Sequence, residues 1–206
     1  MTEVSALLSA QSLTMMRNQQ VIFRRLSLSL FKGQGIHLLG ENGSGKTTLL
    51  QILAGVLLPT SGKVERETPL LYLGHKAGIH PLLTVEENII FAARLYHGMS
   101  SKDIQRALPN ALEKMGIIEL KKRQVRYLSA GQQRRVQLAR LWLMCPPVWL
   151  LDEPLTALDV ATVEILAERC SAHLRNGGAL LLTSHQPFAE KLLESVNLSS
   201  LSQSSH

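Results

Sequence analysis

Eight consecutive residues, Gly40-Glu41-Asn42-Gly43-Ser44-Gly45-Lys46-Thr47, constrain this 206-residue chain more than any other stretch. A short apolar run, Ile36 to Leu39, precedes them, and a helical pattern starts at about Thr47. Glycines in such a strand–loop–helix junction let successive backbone N–H groups turn inward around phosphate oxygens, and the helix N-terminus adds its dipole. Lys46 then bridges the β- and γ-phosphates of a nucleotide, Thr47 ligates Mg²⁺ and Thr48 reaches a more internal phosphate. A chain built around this junction has to be α/β.

A second apolar run, Val148-Trp149-Leu150-Leu151, ends in Asp152 and Glu153. Alone it reads as a strand running into a loop with two solvated acids. Behind a phosphate loop, Asp152 holds Mg²⁺ through water and Glu153 polarises the attacking water, which together specify a nucleoside triphosphatase. Leu128-Ser129-Ala130-Gly131-Gln132 opens an amphipathic helix with Ser129 as N-cap; Gly131 permits close backbone approach, so this helix start is a second anion site or simply a capped helix.

The remaining pattern fits that frame. Leu26-Ser27-Leu28-Ser29-Leu30 alternates as a half-buried strand does, while Leu70–Leu73 and Ala179–Thr183 are short apolar strand candidates. Ala161 to Arg175 reads as a helix closed by Gly177-Gly178. From Glu86 to Arg140 apolar residues recur at helical spacing, as in Ile89, Ile90, Ala93 and Leu108, Leu112, Met115. The expectation is one domain, residues 1–206, with an α/β core and an inserted α-helical subdomain at about 86–140. The serine-rich tail, Ser199 to His206, reads as frayed.

Charge narrows the partners. The net charge is +6, and the segment from Arg94 to Arg140 holds 11 Lys/Arg against three acids, a local balance of +8. Such a segment suits a nucleic-acid face, a polyanionic nucleotide, a membrane boundary or a solvated helical face. No apolar run approaches the ~20 residues of a membrane helix, and the Leu141–Leu151 stretch is interrupted by Pro146 and Pro147. Glu3 and the lack of a basic start do not read as a secretory signal. Cys145 and Cys170 have no metal-type spacing and suggest a reducing compartment. The expectation is a cytosolic, basic protein with no direct membrane insertion.

Five motifs in order give the chain its resemblance to the ATP-binding cassette (ABC) family. They are the phosphate loop Gly40–Thr48, Leu128–Gln132 in the place of that family's signature sequence, the carboxylate strand Val148–Glu153, the loop Ala157-Leu158-Asp159, and His185 after the strand ending Thr183-Ser184. The resemblance implies a P-loop NTPase of ABC type, with a mixed sheet core and an α-helical subdomain. It also implies ATP and Mg²⁺ as ligands and a head-to-tail dimer, in which each ATP lies between one phosphate loop and the partner cassette's signature helix. Ser129, the Gly131 N–H and Gln132 would then grip the γ-phosphate across the interface. His185 would touch it from the same subunit, Asp159 would relay between sites, and Lys46, Glu153 and His185 would carry catalysis. His37, His97, His173 and His206 are read as structural.

Two departures stand out. Where the family has a Gln after the strand near residue 73, spacing from Pro81 and Leu83–Asn88 puts His75, and imidazole is a poorer Mg²⁺ ligand than an amide oxygen. No aromatic lies at residues 10–22 to stack on adenine; Arg17 can stack its guanidinium instead. The stretches Gly74–Gly78 and Leu128–Leu141 look like those of ATPase subunits serving bacterial cytochrome c maturation. That likeness implies integral membrane subunits handling haem and its chaperone, and a peripheral place on the cytoplasmic face of the inner membrane. His75 and His80 are not read as haem ligands. Alternatives are a soluble ABC ATPase acting on nucleic acid or ribosomes, or a transporter ATPase for another cargo. Residues 47–128 lack the second cassette or coiled-coil insert common in the former, so no nucleic-acid partner is expected. A regulatory module without turnover is disfavoured by the intact Lys46, Asp152, Glu153 and His185.

Overall fold

Strands without a single exposed residue organise the first of two compact units. The computed structural model describes residues 5–75 and 78–201; residues 1–4, Lys76, Ala77, the residues after Leu201 (with His206) and the Tyr96 and His97 side chains lie outside the described residues. The first unit comprises residues 1–75, 146–153 and 170–206, and the second comprises 76–145 and 154–169.

In the first unit, β3 (Gly35–Leu39), β5 (Leu70–Leu73), β6 (Val148–Asp152), β7 (Ala179–Thr183) and β8 (Glu194–Asn197) form a sheet in the order β5-β6-β7-β3-β8. Every neighbouring pair is parallel. β6 and β7 are buried along their whole length, which is why they read as unbroken apolar runs rather than alternating ones. A second, antiparallel sheet has the order β2-β1-β4, from β1 (Leu8–Arg17), β2 (Gln20–Leu30) and β4 (Ser61–Arg66). Here the alternation holds: Leu26, Leu28 and Leu30 are buried while Ser27 faces solvent. One core joins the two sheets, with Leu13, Leu26, Leu38, Leu150 and Leu181 packed around Leu49, Leu50 and Leu53 of α1 (Lys46–Leu53).

The second unit is helical: α2 (Val85–His97), α3 (Ser101–Lys114) and α4 (Ala130–Leu143), with 3-10 turns at Ile118–Leu120 and Val125–Tyr127. Each helix starts at a hydroxyl cap. Thr84 and Glu87 form a reciprocal capping box on α2, Ser100 caps α3, and Ser129 with Gln132 forms a second box on α4. Ile89, Ile104, Leu112, Val136 and Ala139 are buried as its core. α5 (Val160–Arg175) runs from the second unit into the first. No helix of the described residues is long and apolar enough to cross a membrane.

Within the described residues, Ser199 to Leu201 depart from the reading of the tail as frayed. Leu198–Leu201 forms a helical turn, α6, because Leu198 is buried and joins the main core, which holds the serines between the two leucines in place.

Candidate functional site

The first site gathers at the C-terminal ends of β3, β6 and β7. The loop 40–45 leaves β3 and enters α1 through Gly45, at φ 104, a left-handed value that glycine adopts without strain. No side chain caps α1 and its first turn carries no acid, so its leading N–H groups have no competitor for an anion. Ile22 and Phe23 of β2 pack on Gly45: a Cβ there would lie 2.4 Å from Ile22 Cγ2. Close packing and left-handed backbone thus require glycine together. Lys46 is buried and donates to the carbonyls of Gly40 at 2.6 Å and Glu41 at 3.0 Å, spanning its own loop. Ser44 Oγ is buried inside the loop without a hydrogen-bond partner among the described residues. Glu41, Asn42 and Gly43 are exposed, and Thr48 is half-buried.

Thr47 Oγ1 donates to Asp152 Oδ1 at 3.1 Å, and Asp152 is fully buried at the end of β6. Thr183, paired with Asp152 in the β6–β7 register, donates to the same oxygen at 2.9 Å. Glu153 follows at φ 50, and its carboxylate lies 3.3 Å from His185 Nε2. His185 is half-exposed, and the carbonyl of Ser184 before it lies 3.3 Å from Nε2 of buried His37. Tyr72 on β5 hydrogen-bonds Gln51; burial first, and then the Asp152 charge, push its phenol up to about 12. A hydroxyl and a carboxylate in contact beside an uncapped helix start are the hard oxygen donors that Mg²⁺ takes in company with phosphate, so this donor set fits it.

Arg17 and His75 sit at the margins. Arg17 is exposed at the end of β1, next to the Asn18-Gln19 turn whose φ values of 50 and 61 make a tight hairpin into β2. His75 is exposed two residues beyond β5, the edge strand beside β6.

The second unit holds the other residues singled out. Ser129 is exposed, accepts from Gln132 N–H at 3.2 Å, and donates its own N–H to Gln132 Oε1 at 3.0 Å. Gly131 touches the 157–159 loop: a Cβ on it would lie 2.7 Å from the Ala157 carbonyl oxygen. Arg135 pairs with Asp159 at 2.6 Å, and Asp159 caps α5 through Thr162 N–H at 2.9 Å. Hydrogen bonds from Thr162, side chain before backbone, and then Arg135, hold the Asp159 carboxyl below its ordinary value.

Sequence reasoning did not single out Thr183 or Tyr72, and it gave His37 only a structural role. Thr183 had one available signal: it is the polar residue closing an otherwise apolar strand, two positions before His185.

Phosphate loop, buried carboxylate, adjacent acid and histidine together define an ATP-binding cassette, and the chain belongs to the ABC transporter family, whose profile matches residues 23–156. An ABC transporter ATP-binding subunit of known structure superposes with a TM-score of 0.84 at 25% identity, covering 93% of this chain and 85% of that one. The dimeric MJ0796, a bacterial ABC transporter cassette, shares the fold at a TM-score of 0.81 and 21% identity, covering 93% of this chain and 94% of that one. More particularly, the chain is 40% identical over 203 residues to the cytochrome c biogenesis ATP-binding export protein CcmA of Haemophilus influenzae, covering 93% of this chain and 94% of that protein.

Proposed function

We propose that this chain is the ATP-hydrolysing subunit of a membrane complex that drives an export step in c-type cytochrome biogenesis, with haem or a haem chaperone as the species handled. One observation carries the ATPase reading: Thr47 of the phosphate loop in contact with Asp152, with Glu153 and His185 paired beside it. ATP enters the loop, where Lys46 exchanges its bonds to the Gly40 and Glu41 carbonyls for the β- and γ-phosphates. Thr47 and Asp152 would hold Mg²⁺, which would supply positive charge to offset that of the phosphates. Glu153 takes a proton from the attacking water as its oxygen bonds the γ-phosphorus; the bond to the bridging oxygen breaks, and ADP leaves as the other product. His185 holds Glu153 on one side and reaches the γ-phosphate on the other. Arg17 stacks on the adenine and His75 faces the membrane partner.

The signature helix start supports a head-to-tail dimer of cassettes, in which Ser129, Gly131 and Gln132 of one copy meet the nucleotide of the other, and Asp159 links the two sites. Ser129 is already exposed and capped, so it offers its hydroxyl without unfolding α4. For the membrane subunits, an apolar groove of about 490 Å³ in the second unit is lined by Leu83, Glu87, Ile90, Phe91, Arg94 and Leu95. Phe91 and Leu95 are 56% and 59% exposed there, high for residues of their size. Seating that groove on membrane subunits makes the protein peripheral to the inner membrane.

Glu153→Gln tests the reading. General-base loss lowers turnover about 10²–10⁴-fold, while ATP binding persists and an ATP-dependent dimer accumulates in size-exclusion chromatography. Turnover within a few-fold of the unsubstituted protein rejects Glu153 as the base.

A further inference from the structure

The end of β7 holds a buried hydroxyl that touches both carboxylate-bearing residues. Thr183 is fully buried, pairs with Asp152 across the β6–β7 ladder and with Leu38 of β3 on its other side. A threonine hydroxyl has one proton to give and lone pairs to receive with, and here both capacities go to consecutive residues. It donates to Asp152 Oδ1 at 2.9 Å and accepts the Glu153 N–H at 3.0 Å. In a continuing parallel ladder that N–H would meet a main-chain carbonyl. Meeting a side chain instead, the backbone leaves the ladder, and Glu153 takes φ 50, a value that non-glycine residues hold only where their surroundings impose it. The result is a carboxylate 3.3 Å from His185. Asp152 Oδ1, meanwhile, receives two hydroxyls, Thr47 and Thr183, so the carboxylate is held from both the phosphate-loop side and the β7 side.

We infer that Thr183 is a positioning residue for ATP hydrolysis: its single hydroxyl locks the cation-holding carboxylate of Asp152 and the backbone of Glu153 into one fixed geometry. This inference rests on the ATPase reading above, with Glu153 as base. Thr183 lies two residues before His185, so β7 positions the acid and the histidine that faces it from one strand end.

The test compares three substitutions by steady-state ATPase kinetics, nucleotide affinity and Mg²⁺ titration. Thr183→Val keeps the shape and removes the hydroxyl; misplacing a reacting group by about 1 Å costs on the order of 10²-fold. Its kcat should fall about ten- to a hundredfold, with ATP affinity changed less than about threefold and half-saturation moved to higher Mg²⁺. Thr183→Ser keeps the hydroxyl and should restore kcat to within about threefold of the parent. Thr183→Cys, a weaker donor and acceptor, should fall between them. Unchanged kcat in Thr183→Val, or a Ser variant as slow as the Val variant, overturns the inference. Should the Val variant fail to fold, the order of Ser above Cys carries the test, and equal turnover of those two overturns it. Glu153→Gln run alongside separates the failures: an active Glu153→Gln protein removes Glu153 as the base, on which this inference rests, whereas an inactive one beside an undiminished Thr183→Val protein removes only the role of Thr183.

Discussion

Tyr72 is the residue whose ionisation reports most directly on the carboxylate site. Its phenol is held near 12 by burial and by the charge of Asp152. A phenol raised above its unfolded value of about 10 favours the folded state at every pH below that value, and the contribution is lost as pH rises towards 12. An alkaline absorbance titration should show a phenol ionising late, towards pH 12, and Tyr72→Phe should remove that late transition. A titration without that late phenol, or one that Tyr72→Phe leaves unchanged, would mean that burial and Asp152 do not raise Tyr72. At this scale the sequence was informative wherever a residue's role is local. Lys46 and Gly45 follow from the loop pattern, because a left-handed turn into a helix needs glycine and a phosphate needs a cation. Thr183 was not legible, because what its hydroxyl does depends on which strand lies beside it.

Among the elements, the α4 start and the loop before α5 fit closely together. Gly131 was read from the sequence as a point of close approach to phosphate, and within this chain the close approach is to Ala157, whose carbonyl lies 2.7 Å from where a Cβ would be. Ala157 itself sits at φ 63, a left-handed value that an alanine rarely adopts. Gly131→Ala should therefore destabilise the protein by about 1–3 kcal/mol through overpacking, seen as a lower denaturation midpoint with an unchanged denaturant dependence. An unshifted midpoint would mean that the loop relaxes. The strands β3, β5, β6 and β7 and the helix α5 were legible almost to the residue: the buried β3, β6 and β7 write nearly continuous apolar runs, β5 is a short apolar run, and Gly177-Gly178 closes α5. β4 and β8 were not: their exposure patterns are nearly unbroken solvent-facing runs, and such strands exist because neighbours pair with them, not because their residues prefer it. β1 was blurred by register shifts, with Ser12 at φ 50 breaking the alternation.

For the molecule as a whole, the groove lined by Phe91 and Leu95 of α2 is the surface proposed above to seat a membrane partner. Phe91→Glu places a charge on an exposed apolar wall without touching the phosphate loop or β6. Basal ATPase activity should stay within about twofold, since exposed substitutions away from a core are close to neutral, while copurification with the membrane subunits falls. Retained copurification would move the partner's seat elsewhere. The chain's own pattern determined the chemistry and the class: a glycine loop with Lys46 and Thr47, an apolar strand ending in Asp152 and Glu153, and a capped helix at Ser129. Each is a pattern spanning a few residues, set by backbone freedom, burial or capping, and so is written locally. Only the tertiary structure decided that Thr47 bonds Asp152 across 105 positions and that Thr183 bonds it across 31. Parallel strands cannot pair through a short turn, so their order and register follow from how the intervening segments pack. That packing brings the two hydroxyls to one carboxylate.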